Sequence, residues 1–198
     1  MTTQTSRLET RRLWIRSIRQ DDLEEIFQQI FSDPDTQLRM ANKPMSLDEM
    51  KNHFAKKHID RTDGFGYRMV ILKKTDQIIG LIGFKPHTGN FNKPSSIGRD
   101  SDLIFLEKEL GQAELIYIFP RHAKGKGYTL EAARAMVAHG FRDLHFFRIV
   151  KAVRRRNMGS FLSMRRLGFR IAATPRPESK NKEAQPDIVG LLECFRIF

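Results

Sequence analysis

An apolar run, ELIYIFP, stops at Pro120 and gives way to the basic turn RHAKGKGY. That turn opens onto TLEAARAMVAHGF, whose apolar residues recur at helical spacing. Strand, glycine turn and helix start together form an arrangement with a chemical use. The first N–H groups of a helix have no acceptor within it, and the helix dipole places partial positive charge there. Gly125 and Gly127 permit a tight turn and let a ligand approach the backbone with no Cβ in the way. Lys124 and Lys126 add charge, so a diphosphate suits the cradle. The spacing does not fit a Walker A loop. A dinucleotide fingerprint is matched at Gly125 and Gly127, but its third glycine would fall on Leu130, and the strand lies mid-chain rather than at the start of the fold. On these residues alone, an acyl-CoA diphosphate loop and a plain basic turn both stay open.

The elements that must position the loop follow from pattern. LWIRSIR alternates as a first strand, and DDLEEIFQQIFSD follows as a helix with Asp21 or Asp22 expected at its N-cap. SLDEMKNHFAKKHID starts at Ser46 with Glu49 three residues on, a capping box. FGYRMVILKK and QIIGLIGFKP, joined by a short polar connection, predict a β-hairpin. The Gly-, Ser-, Asn- and Pro-rich segment 87–102 predicts a loop. ELIYIFP is a strand, LEAARAMVAHGF a helix and FRIVKAVRR a strand. MGSFLSMRRLGF is a short helix with Gly168 placed as a C′ glycine, and FRIAATP and DIVGLLECFRIF are the last strands. The order β-α-α-β-β-β-α-β-α-β-β predicts one α/β domain over residues 1–198 with a mixed sheet.

Composition narrows the class. The chain has 198 residues, 40% of them hydrophobic and 29% charged, which suits a folded globular protein rather than a disordered one. MTTQTSRLETRR lacks the apolar core of a secretory signal, and no apolar stretch is long enough to cross a bilayer. The lone cysteine, Cys194, excludes an internal disulfide framework, and a cytoplasmic location is expected. A net charge of +12 favours anionic partners, whether nucleic acid, an anionic surface or a phosphorylated ligand. Metal chemistry is not expected, because His53 and His58 lie five apart and do not share a helix face.

Three segments carry a resemblance. RLETRRLWIRSIRQDD resembles a T-x-R-L-x-L-R element followed by an acidic helix start. ELIYIFPRHAKGKGYTLEA resembles an E-L-x-Y…P…GKGYxxEA segment, and NMGSFLSMRRLGF resembles an N-x-x-S…LGF segment. Together they are similar to the GNAT superfamily of acetyl-CoA-dependent N-acetyltransferases, in particular the branch of bacterial ribosomal-protein alanine and serine N-terminal acetyltransferases. The likeness runs from about residue 7 to 198. The loop departs from the usual Q/R-x-x-G-x-G/A form: Lys124 stands for Gln or Arg, Thr129 for Gly or Ala, and Leu130 for a frequent Thr.

The resemblance implies a mixed, mostly antiparallel sheet whose central strands splay, with helices on both faces. It implies that the backbone of Ile118 and Phe119 pairs with the pantetheine arm of acetyl-CoA. Lys124, Gly125, Lys126, Gly127, Tyr128, Thr129 and Leu130 would cradle the diphosphate, and Asn157 would touch the cofactor arm. Glu114 becomes the candidate base that takes the proton of an attacking amine. The position that holds a thiolate-protonating Tyr in many relatives is Met164 here, which leaves Ser160 as the nearby hydroxyl, with water as the other source of the proton. The implied acceptor is a primary amine, a protein or peptide N-terminus above all, with a ribosomal or other anionic partner. The competing reading is a non-catalytic RNA- or ribonucleoprotein-binding protein on the same scaffold.

Overall fold

The structure is a computed structural model and describes residues 7–33, 36–37, 44–59, 61, 63–87, 111–154, 157–173 and 188–193. Cys194, the charged connection 174–187, Arg155, Arg156 and all of the Gly- and Ser-rich loop but His87 lie outside the described residues. Eight strands form one mixed sheet in the order β1-β2-β3-β4-β5-β6-β8-β7. They are β1 (Leu8–Glu9), β2 (Leu13–Ser17), β3 (Gly66–Leu72), β4 (Gln77–Pro86), β5 (Gln112–Ile118), β6 (Arg148–Val153), β7 (Arg170–Ala173) and β8 (Ile188–Glu193). Among the described residues, the α-helices that accompany them are α1 (Leu23–Ile26), α2 (Leu47–Lys57), α3 (Tyr128–Arg142) and α4 (Met158–Arg166). The α/β class holds, and among the described residues the elements follow the order expected from pattern, with the two-residue β1 added.

The chain divides into two compact units: residues 1–84 with 116–136, and residues 85–115 with 137–198. In the first, β1 to β4 pair antiparallel in sequence order. β2 buries Leu13 and Ile15 and leaves Trp14 and Arg16 half-exposed, as its alternation requires. β3 and β4 read as near-continuous apolar runs because both of their faces are covered, and Met69, Ile71, Ile78 and Leu81 join Phe31 and Phe54 in one core cluster. α1 is shorter than its pattern implies. It enters from a 3₁₀ turn at Gln20–Asp22 and widens into a π turn at Phe27–Phe31. Asp22 stands at the N-cap of α1, as expected, but its side chain makes no capping hydrogen bond. Its carboxylate instead reaches back to the Arg19 N–H at 2.7 Å while holding the Arg16 guanidinium. The Ser46–Glu49 capping box forms as expected: the Glu49 N–H donates to Ser46 Oγ, and the Ser46 N–H donates to the Glu49 carboxylate.

The histidine pair needs correction. His58 is the C-cap of α2 and leaves helical geometry (φ −133°), so its ring swings to 5.6 Å from that of His53 although helical spacing would separate them. Its Nδ1 accepts the Tyr67 N–H at 3.2 Å, which joins the helix end to the start of β3. No group of three metal-capable side chains occurs among the described residues.

In the second unit β6 pairs antiparallel with β8, and β8 with β7. β5 pairs with β6 in parallel over three positions: Gln112↔Arg148, Ala113↔Ile149 and Glu114↔Val150. The ladder is shorter than either strand, since β5 continues to Ile118 and β6 to Val153. Arg148 and Arg170 converge on the Glu193 carboxylate at 2.7 and 3.0 Å and tie β6, β7 and β8 at this end. Gly168 has φ +86°, the left-handed C′ conformation expected for the glycine that stops α4.

Burial pushes the His58 imidazolium down to about 4, helped by the charges of His53, Lys57 and Arg61. The unfolded chain therefore binds the extra proton between about pH 6.5 and pH 4, and stability falls as pH drops through that window. Urea unfolding of the wild type against His58→Gln should show the wild type losing on the order of 3 kcal/mol relative to the variant between these pH values. Parallel curves would contradict the buried neutral imidazole.

Candidate active site

The glycine turn has the conformation its sequence demands. Gly125 and Gly127 sit at φ +75° and +78°, in the left-handed region that side chains disfavour. A 3₁₀ turn at Arg121–Ala123 delivers the chain from Pro120 into the loop, and Lys124 to Gly127 are exposed. The first turn of α3 closes when the Glu131 N–H donates to the Gly127 carbonyl at 3.1 Å. The N–H groups of Tyr128, Thr129 and Leu130 thus head the helix with no acceptor inside it. Positive partial charge, two lysines and a backbone open to approach coincide here.

Glu131 binds this helix start to the turn between β1 and β2. Its carboxylate accepts the Thr10 hydroxyl at 2.6 Å, the Arg12 N–H at 2.8 Å and the Arg12 Nε–H at 2.7 Å. Burial works to raise the Glu131 carboxyl, but these hydrogen bonds and the Arg12 charge outweigh it and hold it below the usual carboxylate range. The Arg12 guanidinium also lies over the Tyr128 ring, 4.6 Å from its centroid. Tyr128 is thereby a packing residue of the helix start.

At the strand end, Ile118 and Phe119 are buried, and Ile118 belongs to the core cluster of the first unit. A Cβ placed on Gly80 would come within 2.5 Å of the Phe119 ring, so that ring fills the space above the glycine. Both side chains are committed to the core, and what these residues can offer a ligand is backbone.

In the second unit, Glu114 occupies the last position at which β5 pairs with β6. Its carboxylate is mostly buried and forms an ion pair with Lys85 Nζ at 3.0 Å. Lys151 follows Val150, the register partner of Glu114, and is itself buried on β6. Burial pushes the Lys151 ammonium down to about 8, the Glu114 charge opposes the shift and Lys85 adds to it. In α4, Asn157 is the exposed N-cap, and its Oδ1 accepts the Ser160 N–H at 3.3 Å. Ser160 and Met164, one turn apart, are both buried. Met164 Cε would lie 2.4 Å from a Cβ on Gly190, so this methionine fills the hollow above a β8 glycine. The position therefore does core work in this chain, and the only hydroxyl on the same stripe is that of Ser160.

A family model for the acetyltransferase (GNAT) domain matches residues 12–170. The chain belongs to the GNAT acetyltransferase family. The acetyltransferase is 24% identical over 161 residues, 81% of each chain, to the uncharacterized N-acetyltransferase YnaD of Bacillus subtilis strain 168. Among solved structures, a GNAT-family acetyltransferase from Bacillus anthracis superposes with a TM-score of 0.69 at 20% identity, over 94% of this chain and 96% of that one. RimL, the ribosomal L7/L12 alpha-N-protein acetyltransferase, in complex with coenzyme A, superposes with a TM-score of 0.67 at 16% identity, over 94% and 96% of the two chains. The protein is an acyl-CoA-dependent acetyltransferase.

Sequence reading of this acetyltransferase missed four site neighbours: Thr10, Arg12, Lys85 and Lys151. Arg12 and Thr10 stood in the quoted T-x-R element, but nothing in their spacing signals a partner more than a hundred residues away. A lysine inside the apolar strand FRIVKAV was the one visible signal for Lys151.

The Lys151 ammonium carries a testable cost. Between about pH 8 and 10.5 the unfolded chain holds a proton that the folded chain has released, so stability relative to a neutral residue rises with pH there. Lys151→Met should be the more stable protein at pH 7, by on the order of 3 kcal/mol at most, and the gap to wild type should close as pH rises from 8 to 10. A gap that does not change with pH would refute this.

Proposed function

We propose that the protein transfers the acetyl group of acetyl-CoA to a primary amine, with a protein or peptide N-terminus as the acceptor. The observation that carries this is the helix start at Gly127–Leu130, entered through two left-handed glycines and flanked by lysines, on a chain of this family. Lys124, Gly125, Lys126, Gly127, Tyr128, Thr129 and Leu130 hold the diphosphate, chiefly through backbone N–H groups and the lysine charges. Tyr128 lends its N–H rather than its ring. Ile118 and Phe119 offer backbone to the pantetheine arm, consistent with the burial of their side chains. Asn157 contributes through the side-chain atoms that its cap leaves over, and by fixing the start of α4. The similarity in fold to a coenzyme A complex supports the donor, and the ribosomal-protein acetyltransferase among the neighbours supports the acceptor class.

In the reaction the amine nitrogen attacks the thioester carbon, the C–N bond forms and the C–S bond breaks. Glu114 takes the proton that the amine gives up, directly or through water. The departing thiolate takes a proton from the Ser160 hydroxyl or from water. The Lys85 ion pair fixes the orientation of the Glu114 carboxylate.

A panel of amines and peptide N-termini, assayed for thiol released from acetyl-CoA, tests the reading. At least one peptide N-terminus should turn over. Glu114→Gln should lower kcat roughly a hundredfold while leaving the calorimetric Kd for acetyl-CoA unchanged. Acetyl-CoA binding with turnover of small amines alone would remove the peptide acceptor. Full activity of the variant would remove Glu114 from the mechanism.

A further inference from the structure

We infer that Arg12 is a positioning residue of the acyl donor site, setting the direction of the loop N–H groups from outside the loop. The inference rests on the reading of residues 124–130 as the diphosphate cradle. Arg12 belongs to the turn between β1 and β2, far in sequence from that loop. Its guanidinium makes two different bonds at once. Nε donates to Glu131 Oε2 at 2.7 Å, and Nη1 donates to the Lys126 carbonyl at 3.0 Å.

The second bond is the informative one. In a trans peptide the C=O and N–H vectors are opposed, and no peptide among the described residues is cis. Fixing the Lys126 carbonyl on Arg12 therefore aims the Gly127 N–H away from Arg12. The next peptide is fixed from the other side, because the Gly127 carbonyl accepts the Glu131 N–H and the Tyr128 N–H points the opposite way. Arg12 and the first helical bond thus orient two successive donors, a pair of the kind that forms anion-binding concavities. Without Arg12, the peptide joining Lys126 and Gly127 is free to turn, because Gly127 on its C-terminal side is a left-handed glycine with no Cβ to resist the rotation.

The remaining contacts hold Arg12 in place. Thr10 Oγ1 and the Arg12 N–H both donate to the same Glu131 carboxylate, and the guanidinium rests on the Tyr128 ring. Lysine cannot reproduce this. A single ammonium lacks the planar fork that serves a carboxylate with one edge and a carbonyl with another.

The test compares two ligands on three proteins. Calorimetry gives the Kd of coenzyme A, and ligand-observed NMR gives that of S-acetylpantetheine, which lacks the diphosphate. Against wild type, Arg12→Lys and Arg12→Met should weaken coenzyme A by about tenfold or more and leave S-acetylpantetheine within twofold. Arg12→Lys keeps charge and stem, so it covers the case in which Arg12→Met does not fold. Equal loss for both ligands would make Arg12 a general structural residue and overturn the inference. Unchanged coenzyme A affinity in both variants would overturn it too. Wild type that fails to bind coenzyme A would instead sink the reading of the loop itself.

Discussion

The Glu131 carboxylate is the point on which the donor loop depends. It stands in the first turn of α3, where a negative charge suits the helix dipole. It accepts a hydroxyl, a backbone N–H and a guanidinium from the β1–β2 turn. Without it, α3 would begin in the same place, because Gly127 still offers the first carbonyl, but Arg12, which holds the Lys126 carbonyl, would lose its carboxylate anchor. A charged residue that helical pattern assigns to a polar outer face is thus the inner anchor of the candidate site. The carboxylate is itself charged and one of its partners is a guanidinium, so the anchor draws on charge-assisted hydrogen bonds, about twice as strong as neutral ones.

The second unit works by a different constraint. The β5–β6 ladder stops after three pairs, at the residue proposed as the base. Glu114 and Lys151 flank the end of that ladder, one on each strand. A lysine buried at such a point costs stability, and the depressed ammonium records the cost. Nearby, α4 is held by ordinary means: Asn157 caps it, Gly168 stops it, and Met164 fills the space over Gly190. Met164 is explained by packing, since its side chain meets β8.

Much of the fold was legible because it follows local rules. The Ser46–Glu49 box, the Gly168 stop, the β3–β4 hairpin and the two left-handed loop glycines each depend on residues within a few positions. The element order followed from hydrophobic period. What pattern could not supply was contact across the chain. Arg12 reaching Lys126, and Phe119 lying on Gly80, have no local signature. The His53–His58 approach was missed because helical geometry was extended one residue past the helix end. Asp22 holds the expected N-cap position of α1, but its side chain serves the 3₁₀ turn that precedes the helix.

The central claim is that the backbone of residues 124–130 binds the diphosphate of the acyl donor. Amide hydrogen exchange, followed residue by residue with and without coenzyme A, addresses it most directly. Coenzyme A should markedly slow exchange at Gly127, Tyr128, Thr129 and Leu130 and leave the exposed end of α2 unaffected. Saturating coenzyme A that slows exchange elsewhere but leaves these four amides unchanged would contradict it.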